Sequence, residues 1–325
     1  MLHPWIVLRL ATAALWPRAT PLDMGAPACH EVSASIGSHM VMQRAPESAR
    51  VFGSVCGGLA GASTVSVALD GGPPITVSIA AGATSWSVSL PPQSASLVPH
   101  TLRVQGGASF VETIDDVLFG DVILCSGQSN MVFSTNMMTG ARDEIALANA
   151  SRFRAIRLFT VAPRRASAPA ADPAVLQPWQ VANSESVGGG GAKPFSYFSA
   201  VCWLQGRHLF DRLGGSVPLG LITSAVGGTR IHCWSSRDAL GQCPQYLPPP
   251  SNASGSDSDL FNTMIAPLLP MRLKFIVWLQ SESDVCASDA ACEPQRGALY
   301  YACAIQAMVR DWISSRSQFC SNPAY

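Results

Sequence analysis

The feature that most constrains this chain is a set of short segments that are apolar almost throughout, separated by stretches with helical periodicity. Residues 122–125, 155–161, 218–223 and 274–280 form the apolar series. Residues 141–150, 198–213 and 258–269 read as helices between them, and 297–316 as a final helix. Strands with no wet face, alternating with helices, belong in a parallel sheet covered on both sides. Residues 116–325 are therefore predicted to form an α/β domain. The last helix should seat one apolar face on that sheet, made of Leu299, Ala302, Ile305, Met308, Val309 and Trp312.

Upstream the texture differs. Residues 39–44, 50–55, 64–70, 75–80, 84–90 and 101–105 read as short strands, divided by turn signals such as Asp70-Gly71-Gly72-Pro73-Pro74 and Pro91-Pro92. Six short strands at this spacing predict a small β-sandwich-like domain over 29–115. Nothing in that stretch has a catalytic pattern. The Pro/Ala/Gly-rich run ending in Gly188–Gly191 reads as a loop, since no Lys-Ser/Thr follows it and no strand precedes it.

Charge narrows the class. Twenty-one basic residues balance twenty-one acidic ones, and charged residues are only 13% of the chain. A nucleic-acid partner would require a basic excess, which is absent. No apolar run reaches the roughly 20 residues of a membrane-spanning helix. The patch from Trp5 to Trp16 instead has the length of a secretory signal core, with Ala26-Pro27-Ala28 as a loose cleavage match, so residues 1–28 are expected to be a signal peptide. Ten cysteines point the same way. Cys286, Cys292, Cys303 and Cys320 crowd the C-terminal end with no Cys-x-x-Cys and no nearby His, which favours disulfides over zinc. Cys125 and Cys202 lie in apolar segments and read as buried free thiols. With sequons at Asn149-Ala150-Ser151 and Asn252-Ala253-Ser254, a secreted or lysosomal, lumenal location is expected.

The loops at the ends of the apolar strands carry the chemistry. After 122–125 comes Ser126-Gly127-Gln128-Ser129-Asn130-Met131; after 218–223 comes Ser224-Ala225-Val226-Gly227-Gly228-Thr229; 274–280 leads into Gln280-Ser281-Glu282-Ser283-Asp284. The carboxyl ends of parallel strands share one edge, where ligands bind. Three Gly-, Ser- and amide-rich loops at one edge supply a serine nucleophile and the N–H donors for an oxyanion. The first is not a Gly-x-Ser-x-Gly elbow, because Met131 occupies the second glycine position.

The run from Gly120 to Met131, GDVILCSGQSNM, resembles the nucleophile block of the sialate O-acetylesterases, SGNH-type hydrolases with a flavodoxin-like α/β fold. The likeness extends through Met40–Arg44, Ser199-Ala200-Val201-Cys202-Trp203 with Gly206-Arg207, Gly227-Gly228-Thr229, Asn262 to Leu268, and Val277-Trp278-Leu279-Gln280. It implies Ser129 as nucleophile, with Ser129, Gly228 and Gln280 forming the oxyanion hole. Gln128, Asn130, Gly227 and Glu282 would support the loops. The implied reaction is hydrolysis of acetyl esters on sugar hydroxyls, sialic acid foremost, without metal or cofactor. Ser281 departs from the glycine that the family usually has between the Gln and Glu of its third block.

A serine hydrolase also needs an imidazole to take the hydroxyl proton and a carboxylate to orient it. The resemblance places both in an Asp-x-x-His segment well downstream of the third block, and no His follows His232 here. His208 reads as a surface residue of its helix. His232, just past the Gly-Gly loop, is the one candidate substitute. The expectation is an esterase sequence that stops before its Asp-x-x-His segment; the alternative is a non-catalytic glycan-binding or decoy protein that keeps the cleft without the base.

Overall fold

The computed structural model describes residues 29–107, 109–189, 195, 198–243, 255–284 and 294–321, with the backbone alone for 294–297 and 315–321. The expected signal segment, the Asn252 sequon, Cys286, Cys292, the Cys320 side chain and the end of the Gly188–Gly191 run lie outside the described residues.

All six upstream strands form: β1 (Val41–Gln43), β2 (Arg50–Ser54), β3 (Thr64–Leu69), β4 (Ile75–Ser78), β5 (Ser85–Ser89) and β6 (Ser96–Gly106). The alternation that predicts them is visible in β5, where Trp86 and Val88 are buried between exposed serines. β2 and β5 form a two-stranded antiparallel sheet, while β4, β3 and β6 lead antiparallel into β7 (Phe110–Gly127).

β7 is the spine of the molecule. Its first half, through Phe119, pairs β6; its second half, Asp121–Gly127, enters the parallel sheet. The short apolar segment 122–125 is thus the end of an 18-residue strand. Its burial changes along its length, from alternating at Phe110–Ile114 to continuous from Val117 onward, as cover passes from one face to both.

Helices α1 (Ser129–Val132) and α2 (Ala141–Leu147) come next, then β8 (Ile156–Val161). The long Pro/Ala-rich excursion contains a strand that the composition hides, β9 (Val175–Val181), paired antiparallel to β8. After it come α3 (Ser184–Gly188), α4 (Ala200–Arg212), β10 (Leu219–Ala225) and α5 (Arg237–Gly241). The predicted helix over 258–269 is a π-helical turn at Phe261–Ile265 running into a 3₁₀ turn at Ala266–Leu268. β11 (Phe275–Leu279) and α6 (Pro294–Ser321) complete the chain. The parallel part runs β11-β7-β10-β8, with β9 antiparallel at its edge, so the α/β expectation holds.

Two expectations are corrected. Cys125 and Cys202 are not free thiols but a disulfide, with Cα atoms 5.9 Å apart. Cys125 on β7 and Cys202 in the first turn of α4 meet where helix and sheet pack, within bridging reach. Two further disulfides, Cys29–Cys56 and Cys243–Cys303, are present, and Cys233 is a buried thiol outside these bridges. The second correction is a rotation of α6. Tyr300, Ala304, Ala307, Met308 and Trp312 are buried, whereas Leu299, Val309 and Ile313 are exposed. Trp312 meets Trp278 of β11 edge-on at 5.8 Å, which anchors the face that is used.

Candidate active site

Three strands end level at one residue. Gly127, last in β7, pairs Ala225 of β10 on one side and Leu279 of β11 on the other. The loop that starts there is therefore flanked by the two loops that leave its neighbours. The ladder continues one step further: Gln128 N–H donates to Leu279 C=O at 3.0 Å, and Val226 N–H to Gly127 C=O at 3.1 Å. Gly127 has φ 142°, and a Cβ there would lie 2.0 Å from the Leu279 carbonyl oxygen. Only glycine allows strands to approach this closely at the turn.

Ser129 opens α1, partly accessible, and its Oγ accepts from Gln128 Nε2 at 3.4 Å. The chain beyond it is held by the block around Ser199. Phe133 C=O accepts from Ala200 N–H, Thr135 N–H donates to Phe198 C=O, and Ser199 Oγ caps α4 by accepting from Cys202 N–H. On one side, Gly228 is exposed with φ 71°, and open space surrounds the position where a side chain would begin. Its neighbour Gly227 is half-buried.

On the other side lies Gln280, buried, and it joins all three loops. Its Nε2 faces Gln128 Oε1 at 3.1 Å, Thr229 C=O at 2.9 Å and Asp284 Oδ2 at 2.5 Å. Gln128 Oε1 also accepts from Ser283 N–H at 3.2 Å. Asp284, itself buried, accepts from Ile231 N–H at 3.0 Å, so the carboxylate reaches the second loop too. Burial pushes the Asp284 carboxyl above the ordinary range, against the opposing pull of the Gln280 and Ile231 donors. Asn130 Nδ2 donates to Glu282, whose other oxygen accepts from Ser281 N–H at 3.0 Å. Sequence reasoning brought these loops together but left Asp284 without a role; its position four residues after Gln280 is the signal.

His232 is buried, with Nδ1 2.8 Å from Asp257 Oδ1 and Nε2 3.9 Å from the Cys233 sulfur. Its hydrogen bonds among the described residues do not include Ser129. Burial pushes the Cys233 thiol up to about 12, which keeps it protonated and inert at neutral pH. His208 lies on α4, beside Arg207.

The fold and this edge define a class: an α/β protein built like a carbohydrate acetylesterase. A crystal structure of a carbohydrate acetylesterase from Xanthomonas citri matches with a TM-score of 0.71 and 28% identity, over 88% of this chain and 57% of that one. More particularly, the chain is a homologue of the sialate O-acetylesterases. It is 35% identical to the sialate O-acetylesterases of Homo sapiens and Pongo abelii over 96% of its own length, and 31% identical to that of Rattus norvegicus over 85%. It spans 57% of the length of the human and orangutan proteins. No family model matches it.

Proposed function

We propose that the chain carries the acyl-transfer site of a carbohydrate O-acetylesterase, with Ser129 as the nucleophile and O-acetylated sialic acids or related sugars as substrates. The observation that carries this reading is the level ending of β7, β10 and β11 at Gly127, which sets Ser129 between the Gly228 and Gln280 loops. Ser129 Oγ attacks the acetyl carbonyl carbon, and the carbonyl oxygen takes the negative charge. The backbone N–H groups of Ser129 and Gly228 receive that charge, joined by the Gln280 amide as it gives up one of its loop acceptors. Collapse expels the sugar oxygen and leaves acetyl on Ser129, which water then removes.

Gln280 has a double part here. Its two amide hydrogens face three acceptors in the resting site. It therefore locks the loops until an entering oxyanion takes one hydrogen. The resemblance implies that the proton from Ser129 goes to the imidazole of an Asp-x-x-His segment, a motif that does not follow the third loop in these 325 residues. The homologues' names and the disulfides support a sugar substrate and a secreted or lumenal setting.

The test is acetyl release from 9-O-acetylated sialic acid by a chain extended with the Asp-x-x-His segment of its relatives. Ser129→Ala is expected to lower turnover about a million-fold, to the residual level left by the oxyanion donors alone. Substantial activity in that variant would remove Ser129 from its role. Binding of the sugar with no turnover by the extended chain would favour a glycan-binding protein.

A further inference from the structure

A second concavity lies at the opposite end of the sheet. It has a volume of about 680 Å³, within the range of small-ligand sites, and is bounded by Leu97 and Pro99 of β6, the 3₁₀ turn Ser151–Ala155, and the end of α4. Leu118 of β7 lines it, nine residues before Gly127 on the same strand. At roughly 3.3 Å per residue, that puts it about 30 Å from the Ser129 edge. It is a separate place on the molecule, at the seam between the antiparallel strands and the parallel sheet.

Its charges do not cancel evenly. Arg157, buried, makes a two-pronged pair with Asp116, at 2.6 and 3.0 Å, and His39 Nδ1 also reaches Asp116 at 2.7 Å. That acid is fully engaged. Asp211 is shared loosely between Arg152 at 3.4 Å and Arg207 at 3.7 Å. The Arg152 side chain remains 56% exposed, its guanidinium 4.3 Å above the Phe153 ring, which holds it outward. Two residues on, Arg154 is exposed, and among the described residues its guanidinium has no hydrogen-bond or ion-pair partner. The lining thus presents one uncommitted and one weakly committed guanidinium. The same groove is lined by the apolar Leu97 and Pro99, and Leu97 is 51% exposed. Gly214 and Gly215 carry no side chain to close the gap.

We propose that this groove is a second ligand site, which takes the carboxylate of an acidic saccharide on Arg154 and Arg152 while the Leu97–Pro99 wall receives the apolar face of the sugar. A guanidinium fork matches a carboxylate in plane and spacing, and such paired hydrogen bonds are stronger than neutral ones. A site of this kind would hold an acidic glycan chain on the protein while another part of that chain lies elsewhere.

The experiment is calorimetric titration of the 325-residue chain with N-acetylneuraminic acid, its methyl ester and inorganic sulfate. The free acid is expected to bind, and the neutral ester at least about tenfold more weakly, as loss of a charged hydrogen-bond pair dictates. Arg154→Gln should weaken the acid by a similar factor with an unchanged melting temperature, since the side chain is exposed. Arg152→Gln should also weaken the acid, which ties the binding to the groove and separates it from the catalytic edge. Equal binding of acid and ester, or binding unaffected by Arg154→Gln, would overturn the proposal. Sulfate as tight as the sugar acid would also overturn it, by showing an unselective anion site.

Discussion

β10 and β11 pair the same stretch of β7, in the same direction and to the same last residue, yet they are held very differently. Every residue of β10 is buried. It has β8 along its other edge, and α4 sits so close that a Cβ on Gly206 would meet Leu221 Cδ1 at 2.4 Å. β11 pairs only β7 among the described residues, and its end residues Phe275 and Leu279 are each 37% exposed. One flank of the site is a packed wall and the other is a strand held mainly from one side. The Gly228 loop grows from the wall. The Gln280 loop grows from the open flank and is fixed by hydrogen bonds instead: Tyr301 Oη donates to Gln280 C=O at 2.6 Å, and the Gln280 side chain ties to Gln128, Thr229 and Asp284.

Core truncations test that contrast most strongly. Leu221→Ala in β10 removes a fully buried side chain beneath a close helix and should cost about 2–5 kcal/mol of unfolding free energy. Ile276→Ala in β11, where the side chain is half-buried, should cost less than half as much. Denaturant unfolding of the two variants reads the difference. Equal costs would show that β11 is as firmly packed as β10.

The next effect is catalytic. If Gln280 both locks the open flank and stabilises the oxyanion, Gln280→Ala in the extended chain should lower kcat by about 100- to 1,000-fold with little change in KM. A raised KM together with a lowered melting temperature, and no large loss in kcat, would assign it the locking role alone.

Much of this was legible in the sequence, for physical reasons. Strand ends leading into Gly/Ser loops announce themselves, because a parallel sheet leaves its loops at one edge and the strands must be apolar. The Cys125–Cys202 bridge was not, since burial of a thiol and burial of a disulfide leave the same apolar surroundings in sequence. β9 was hidden because an edge strand needs only one good face; Trp179 is buried while Leu176 and Pro178 are exposed. The seating of α6 also escaped. Leu299, Val309 and Ile313 are as apolar as the residues that pack, and long-range contacts of Trp312 with Trp278, Tyr301 with Gln280 and Cys303 with Cys243 decide which stripe turns inward. The Gln280–Asp284 link is local, but the partners that give it a role, Gln128, Thr229 and Ile231, come from the two other loops, distant in sequence.

Asp284 yields the smallest and most discriminating effect. Its carboxyl is buried, and burial raises its proton affinity above that of an unfolded aspartate. A group whose folded pKa is raised contributes stability that is fully present below its unfolded pKa and is lost as pH rises through the folded value. Ionisation of this carboxyl is thus a cost to the fold that grows as pH rises, borne by the open flank. Asp284→Asn keeps an oxygen for Gln280 Nε2 and Ile231 N–H but removes the charge. The variant should therefore melt at a higher temperature than the parent at pH 7, and the gain should shrink as pH falls toward the carboxylate range. If the carboxylate also orients Gln280, the same change should lower kcat in the extended chain at neutral pH. A charge needed for positioning would thus be kept at the expense of stability. Melting curves between pH 4 and pH 8 decide the point: a variant less stable than the parent at pH 7 would mean that the hydrogen bonds to the carboxylate outweigh its burial.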